Sequence, residues 1–440
     1  MKIKTLIVLL LLTGGVAHSQ QRKIEFIEYK LDNGLHVILH QNNSIPVVAV
    51  TVTYHVGSKN EHPERTGFAH FLEHLMFEGS KNIGRGEFFR IVQDAGGQLN
   101  AYTSFDKTHY HLVLPSNQLE LGLWLESERM LHPVIDSIGV ETQRAVIKEE
   151  RSQMYDNQPY GSVMEETFSR AFREHPYRWM PIGSVQYIDK AQLHEFIEFH
   201  KIWYVPQNAV LVIAGDIDVD ETKRMVELYF AEIPAGTKPR NRPEIVEPPL
   251  NGEIRDVVFD NIQLPAVIQA YRIPEKGHPD SYALDMLTHV LSSGESSRLH
   301  RTIVDERQQA FAIFSFSFPL ADPGLYIVLG IANIGVEPQV LEASINEQIE
   351  KLRNEGVGRR EFEKARNKAE TAFVTNNSRM ATIADNLAEY HLFYCDANII
   401  NTEIERYMKV RPEDIQRVAQ KYLHKNNRVV LHYLPKPQNQ

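Results

Sequence analysis

Apolar and polar positions along the chain fall into a repeating order of strands and helices. Residues 25–29, 36–40 and 47–55 alternate in polarity or run apolar and β-branched, the pattern of strands. Asn33-Gly34 between the first two predicts a hairpin turn. Phe68, Phe71, Leu72, Leu75 and Phe77 then predict a largely buried helix. A second helix is expected over 86–95, strands over 99–103 and 109–114, and helices over 119–131, 138–156, 163–172 and 193–204. A strand over 209–214 ends this block at Gly215-Asp216. The second block predicts strands near 256–259, 266–272, 310–318 and 324–332, and helices near 280–291, 338–354 and 361–394. Between the blocks the chain is dense in Pro and Gly and has no period, so residues 236–255 read as an extended linker. The expected fold class is α+β: two similar domains, 20–235 and 256–440, each a mostly antiparallel sheet faced by helices.

The first residues are set apart from this pattern. Lys2 and Lys4 precede an apolar run over 6–12, and Ala17-His18-Ser19 offers small residues at the −3 and −1 positions of a cleavage site. Residues 1–19 are therefore expected to be a signal peptide, cut near Ser19-Gln20, and the protein periplasmic or secreted. No later stretch is long and apolar enough for a transmembrane helix. The single cysteine, Cys395, cannot form an internal disulfide, and its apolar surroundings predict burial. A net charge of −10 without a basic stripe argues against nucleic acid as a partner.

The candidate chemistry sits on the buried helix, in His70-Phe71-Leu72-Glu73-His74. Histidines four apart share one helix face, and their imidazoles can reach one metal ion at about 2.0–2.1 Å. Glu73 lies on the same side and can hold a water by hydrogen bond and take its proton. Two histidines and a glutamate on a buried helix need polar partners, and a metal serves all three. The pattern H-x-x-E-H is that of the inverzincins. A third ligand must come from elsewhere. The helix over 138–156 offers Glu149 and Glu150, which point about 100° apart, so at most one faces the metal. His109 and His111 alternate along a strand and, in a chain with 19 histidines, read as ordinary strand residues. Neither a phosphate loop nor a G-x-S-x-G nucleophile elbow occurs.

These motifs resemble the pitrilysin/insulinase family of zinc metallopeptidases, in the mitochondrial-processing-peptidase-like subfamily of two-domain bacterial members. His55-Val56-Gly57-Ser58-Lys59-Asn60-Glu61, Gly96-Gly97-Gln98-Leu99-Asn100-Ala101-Tyr102-Thr103-Ser104, His175-Pro176-Tyr177 with Gly183, Tyr204-x-Pro206-x-Asn208 with Gly215-Asp216 and Ser296-Ser297-Arg298-Leu299 extend it over roughly residues 25 to 435. The resemblance implies one Zn²⁺ per chain on His70, His74 and Glu150, with Glu149 as the fallback, and Glu73 as general base. It implies an endopeptidase acting on peptides or unfolded segments bound extended in a closed chamber, with Asn100 and Ala101 on the substrate-binding strand. The alternative it leaves is a non-catalytic partner subunit of a related complex. Where the family has a Glu seven residues before its zinc Glu, this chain has Gln143. The Arg and Tyr that the family's second half offers to substrate fall at Val304 and Phe311 here. A homologous partner subunit supplying that pair, in a heterodimer, is therefore expected, with a homodimer as the alternative.

Overall fold

A computed structural model describes residues 23–437, so the expected signal peptide lies outside the described residues. The first half runs β1 (Ile27–Lys30), β2 (His36–Gln41), β3 (Val47–Tyr54), α1 (Phe68–Leu75), α2 (Glu87–Asp94), β4 (Gln98–Thr103), β5 (Thr108–Pro115), α3 (Leu119–Leu131) and α4 (Ser137–Arg151). It continues through α5 (Val163–Ala171), α6 (Val185–Lys190), α7 (Leu193–Trp203), β6 (Ala209–Gly215) and α8 (Val219–Phe230). The second half runs β7 (Ile254–Asp260), β8 (Ala266–Ile273), α9 (Pro279–Leu291), β9 (Ala310–Phe318), β10 (Gly324–Ala332), α10 (Pro338–Glu355) and α11 (Arg359–Asn376). It ends with α12 (Met380–Tyr394), α13 (Ile399–Lys409), α14 (Pro412–Tyr422) and β11 (Arg428–Pro435).

The two sheets are built to one plan. The first has the order β1-β2-β6-β3-β5-β4 and the second β7-β11-β8-β10-β9. β2 runs parallel to β6 as β7 does to β11, and every other pairing is antiparallel. The mixed α/β fold is thus two similar halves, each a mostly antiparallel sheet faced by helices. The Asn33-Gly34 turn joins the antiparallel pair β1–β2, and Asn33 Oδ1 accepts from the Leu35 N–H at 3.1 Å. β11, a central strand of the second sheet, and helices α6, α8, α13 and α14 are additions to the expected elements.

The helix expected over 361–394 is broken. α11 ends at Asn376 and α12 starts at Met380. Polar side chains stop it: Asn377 Nδ2 donates to the Phe373 carbonyl at 3.1 Å and Ser378 Oγ to that of Thr375 at 2.7 Å, meeting orphan carbonyls. The break redirects the chain. α11 packs on α9 within the second half, whereas α12 crosses to the first sheet, against Ile38, Ala49, Val210 and Val212. In exchange α5 of the first half packs on β8 and β11. Both sheets are therefore covered on both faces, which is why β3 and β6 are buried along nearly their whole length. Residues 236–253 hold no regular element, yet Glu247 accepts hydrogen bonds from the N–H groups of Arg173, Glu174 and His175 at 2.8–3.0 Å. Cys395 is exposed, against expectation, because it caps α12 with φ 53° at a surface turn. Among the described residues no helix is long and apolar enough to cross a membrane.

Candidate functional site

The eight residues of α1 follow Gly67, the N-cap, whose φ is +92°. A Cβ on Gly183 would meet Gly67 Cα at 2.4 Å, so the entry to α1 requires this pair of glycines back to back. The buried Glu61 carboxylate accepts from the N–H groups of Gly67 at 2.9 Å and Ala69 at 2.8 Å, meeting donors the helix leaves open. Burial pushes Glu61 up to about 8 even so.

On this anchored helix His70 Nε2 and His74 Nε2 lie 3.2 Å apart. Glu150 Oε2, from α4, lies 3.7 Å from the first and 3.4 Å from the second. A tetrahedral ion with ligands at 2.0–2.1 Å separates them by about 3.3 Å, so the three atoms are spaced as a zinc set with its fourth position open. The two rings stand at 79° to one another, edge to face, with their Nε2 atoms side by side. Burial, then His74, lowers His70 to about 4, which keeps it the neutral imidazole a metal needs. His74 is raised: burial opposes its charge, but Glu150, Glu73 and Gln143 outweigh it. Glu149, by contrast, is exposed and accepts from Gln153 Nε2 at 2.6 Å.

Two further contacts define the site. Gln143 Nε2 donates to Glu78 Oε1 at 2.6 Å, which turns Gln143 Oε1 toward His74 Nδ1 at 3.0 Å. With Nδ1–H donating there, the lone pair of His74 Nε2 is left toward His70 and Glu150. Glu78 is in turn paired with Arg85, which also binds Asp136, the N-cap of α4. Gln143 thus keeps the orienting role without a charge of its own. Glu73 is buried, and Thr103 Oγ1 donates to its Oε2 at 2.7 Å. Burial, offset by Thr103 and His74, pushes Glu73 up to about 7. Glu78, Arg85 and Thr103 were not legible as site residues. Thr103 does lie in the Gly96–Ser104 motif, but its pairing with Glu73 is made across elements.

The site opens into a cavity of about 650 Å³ lined on one side by Asn100, Ala101 and Tyr102 and on others by Phe77, Phe89, Met154 and Phe318. β4 is the free edge of its sheet. There the Ala101 N–H is held only by its neighbour's Asn100 Oδ1 at 2.9 Å, a donor available to an extended peptide. Val304 is partly buried against the core of the second half, and Phe311 is 69% exposed on β9. Neither lines this cavity. His109 is buried with Nδ1 against Thr53 Oγ1 at 2.8 Å, as an ordinary strand residue. A second group of donors, Glu28, His36 and His391, lies within ligand range. Its two rings stack face to face, 3.4 Å apart and 11° from parallel, so their lone pairs cannot meet at one ion.

Residues 36–180 match the family model for insulinase (peptidase family M16), and residues 190–369 match that of the peptidase M16 inactive domain. The zinc protease PqqE of Helicobacter pylori is 31% identical over 418 residues, 94% of this chain and 94% of that protein. An uncharacterized zinc protease of Bacillus subtilis, YmxG, is 24% identical over 357 residues, 80% and 86% of the two chains. Among solved structures, a protease from Helicobacter pylori has a TM-score of 0.89 at 30% identity, covering 93% of this chain and 100% of that one. The first half of the periplasmic protease PqqL from Escherichia coli shares the fold, with a TM-score of 0.75 at 18% identity over 94% and 92% of the chains. Matched in both halves, and by a relative aligned along nearly its whole length, the chain belongs to the insulinase family of zinc proteases, peptidase family M16.

Proposed function

We propose that this chain is an active zinc endopeptidase in which His70, His74 and Glu150 hold the metal and Glu73 is the general base. The observation that supports it most is the spacing of the three ligand atoms at 3.2–3.7 Å beside a buried carboxylate. Zinc, when bound, supplies Lewis acidity to the scissile carbonyl and to an attacking water. The chain's residues do the rest. Thr103 fixes Glu73 Oε2, leaving Oε1 to take the water's proton and deliver it to the leaving amine nitrogen. The β4 edge binds the substrate extended, through the Ala101 N–H, once Asn100 Oδ1 gives way. The apolar lining of Phe77, Phe89 and Met154 receives apolar side chains flanking the cleaved bond.

The test is Glu73→Gln. The amide still accepts a hydrogen bond but takes no proton, so zinc is retained and peptide hydrolysis drops by roughly 10²–10⁴-fold. Wild-type turnover by a zinc-loaded variant removes Glu73 from the mechanism.

A non-catalytic partner role is the second reading, favoured by Val304 and Phe311. With no cation and no hydroxyl at those positions, the second half lacks the substrate clamp that the family resemblance calls for. We reconcile the two by a heterodimer: this chain carries the zinc half, and a homologous subunit supplies Arg and Tyr to close the chamber. Export to the periplasm, or secretion, rests on residues 1–19 and is checked by cell fractionation.

A further inference from the structure

The strand that serves the site most is also the one with fewest restraints. β4 pairs with β5 alone, and its other edge is open. The proposed mechanism asks two things of it. The Ala101 N–H must meet the substrate, and Thr103 Oγ1 must hold Glu73 Oε2, which it does at 2.7 Å. A strand has a period of two, so Tyr102 between them turns to the opposite face. There it stands across the ladder from His109, with the two rings 5.2 Å apart.

That face is the one α12 covers from the second half, seated on the sheet by Ile383, Ala384, Leu387 and Ala388. From this helix Asp385 Oδ2 accepts from Tyr102 OH at 2.8 Å, and its Oδ1 accepts from Lys107 Nζ at 2.6 Å. Lys107 is only 5% exposed and lies 5.3 Å from the centre of the Tyr102 ring. It also reaches Glu389, one turn along α12, at 2.7 Å. Glu389 is paired in turn with Lys276 of the second half. Both oxygens of Asp385 are thus engaged, and the carboxylate is fixed by a buried cation and by a well-packed helix. Among the described residues, Tyr102 to Asp385 is the only hydrogen bond from β4 to the second half.

We infer that Asp385 is a positioning residue of the peptidase, which acts through Tyr102 to hold β4 where Ala101 meets the substrate and Thr103 meets Glu73. The inference rests on the zinc-peptidase reading of the site. Three consecutive residues then divide the work: Ala101 presents a donor, Tyr102 anchors the strand, and Thr103 orients the base. The anchor lies on the far face, so it restrains the strand without entering the cavity. The second half, through α12, takes part in catalysis from behind the sheet. A strand with one neighbour has no second ladder to fix it, and a hydrogen bond to a charged group is the stronger kind of substitute.

Tyr102→Phe in the full chain is the test. It removes the hydroxyl and leaves the ring beside Lys107, so the fold should be kept. Hydrolysis of an extended peptide should lose on the order of tenfold in kcat/KM, through KM and kcat together, with zinc content and Tm unchanged. In an Asp385→Ala background the same substitution should cost nothing more, because the contact is already gone. A role of Tyr102 in packing alone would cost the same in both backgrounds. Amide hydrogen exchange gives a readout that needs no turnover and no Asp385 variant. The segment 98–103 should exchange faster in Tyr102→Phe than in the wild type, while 68–75 on α1 is unchanged. The inference is overturned by wild-type kcat/KM in the folded Tyr102→Phe protein, by unaltered exchange over 98–103, or by an equal cost with and without Asp385. Should Glu73 prove dispensable for hydrolysis, the mechanism fails, and exchange over 98–103 still decides whether Asp385 holds the strand.

Discussion

Two adjacent glutamates on α4 differ in where they point, and that difference is the reason we propose Glu150 as the third ligand. Glu150 Oε2 faces both imidazoles, while Glu149 is exposed and bonded along its own helix to Gln153. Glu150→Gln is expected to lose stoichiometric zinc, because the amide is a weaker donor to a cation and cannot balance its charge. Glu149→Gln keeps it. Metal content measured on both purified variants decides the matter, and loss from the Glu149 variant alone reverses the assignment. At this scale the sequence was informative for His70, Glu73 and His74, since three side chains on one helix are related by helix geometry alone. It was silent on Thr103 and Glu78, which meet Glu73 and Gln143 only across elements.

At the scale of the element, β4 combines two demands. Its inner face brings Thr103 to Glu73, and its outer edge is free for a peptide. Ala101→Pro removes the outward N–H. Pro is tolerated on an edge strand where the donor faces solvent, so the fold should survive. We expect kcat/KM on extended peptides to fall on the order of tenfold, mainly through KM, with zinc content unchanged and little change in Tm. Full activity in a folded Ala101→Pro protein excludes β4 from substrate binding. The break between α11 and α12 shows what periodicity misses. The apolar spacing from 361 to 394 is helical on both sides of Asn377, and local hydrogen bonds alone divide it.

At the scale of the molecule, the halves are joined through a knot of charge. Asp322, between β9 and β10, accepts from Lys59 Nζ at 2.9 Å and from His175 Nε2 at 3.2 Å. His175, against burial and with Lys59, holds Asp322 at about 2. A carboxyl depressed in the folded state stabilises above its unfolded value of about 3.9 and loses that contribution as pH falls through its folded value. Thermal stability should therefore drop more steeply between pH 4 and 2 in the wild type than in Asp322→Asn. Equal slopes would mean that the knot contributes nothing. The heterodimer is tested at the same scale. Copurification from the native host should yield a homologous second chain carrying the Arg and Tyr, and adding it should raise peptide hydrolysis. Recovery of a homodimer that cleaves at full rate unaided refutes the heterodimer.

The sequence by itself determined the α+β class, the order of most elements in the first half, the Pro-rich stretch without regular structure and the H-x-x-E-H helix. These depend on periods of two and 3.6 residues and on turn chemistry, which are local. Tertiary structure decided which glutamate of the 149–150 pair turns to the histidines, because that depends on the roll of α4 against α1. It also decided the exchange of α5 and α12 between sheets and the partial burial of Val304. Above all it brought Asp385 of α12 to Tyr102 of β4. No spacing rule joins residues so far apart in the chain; only the packing of one half on the other does.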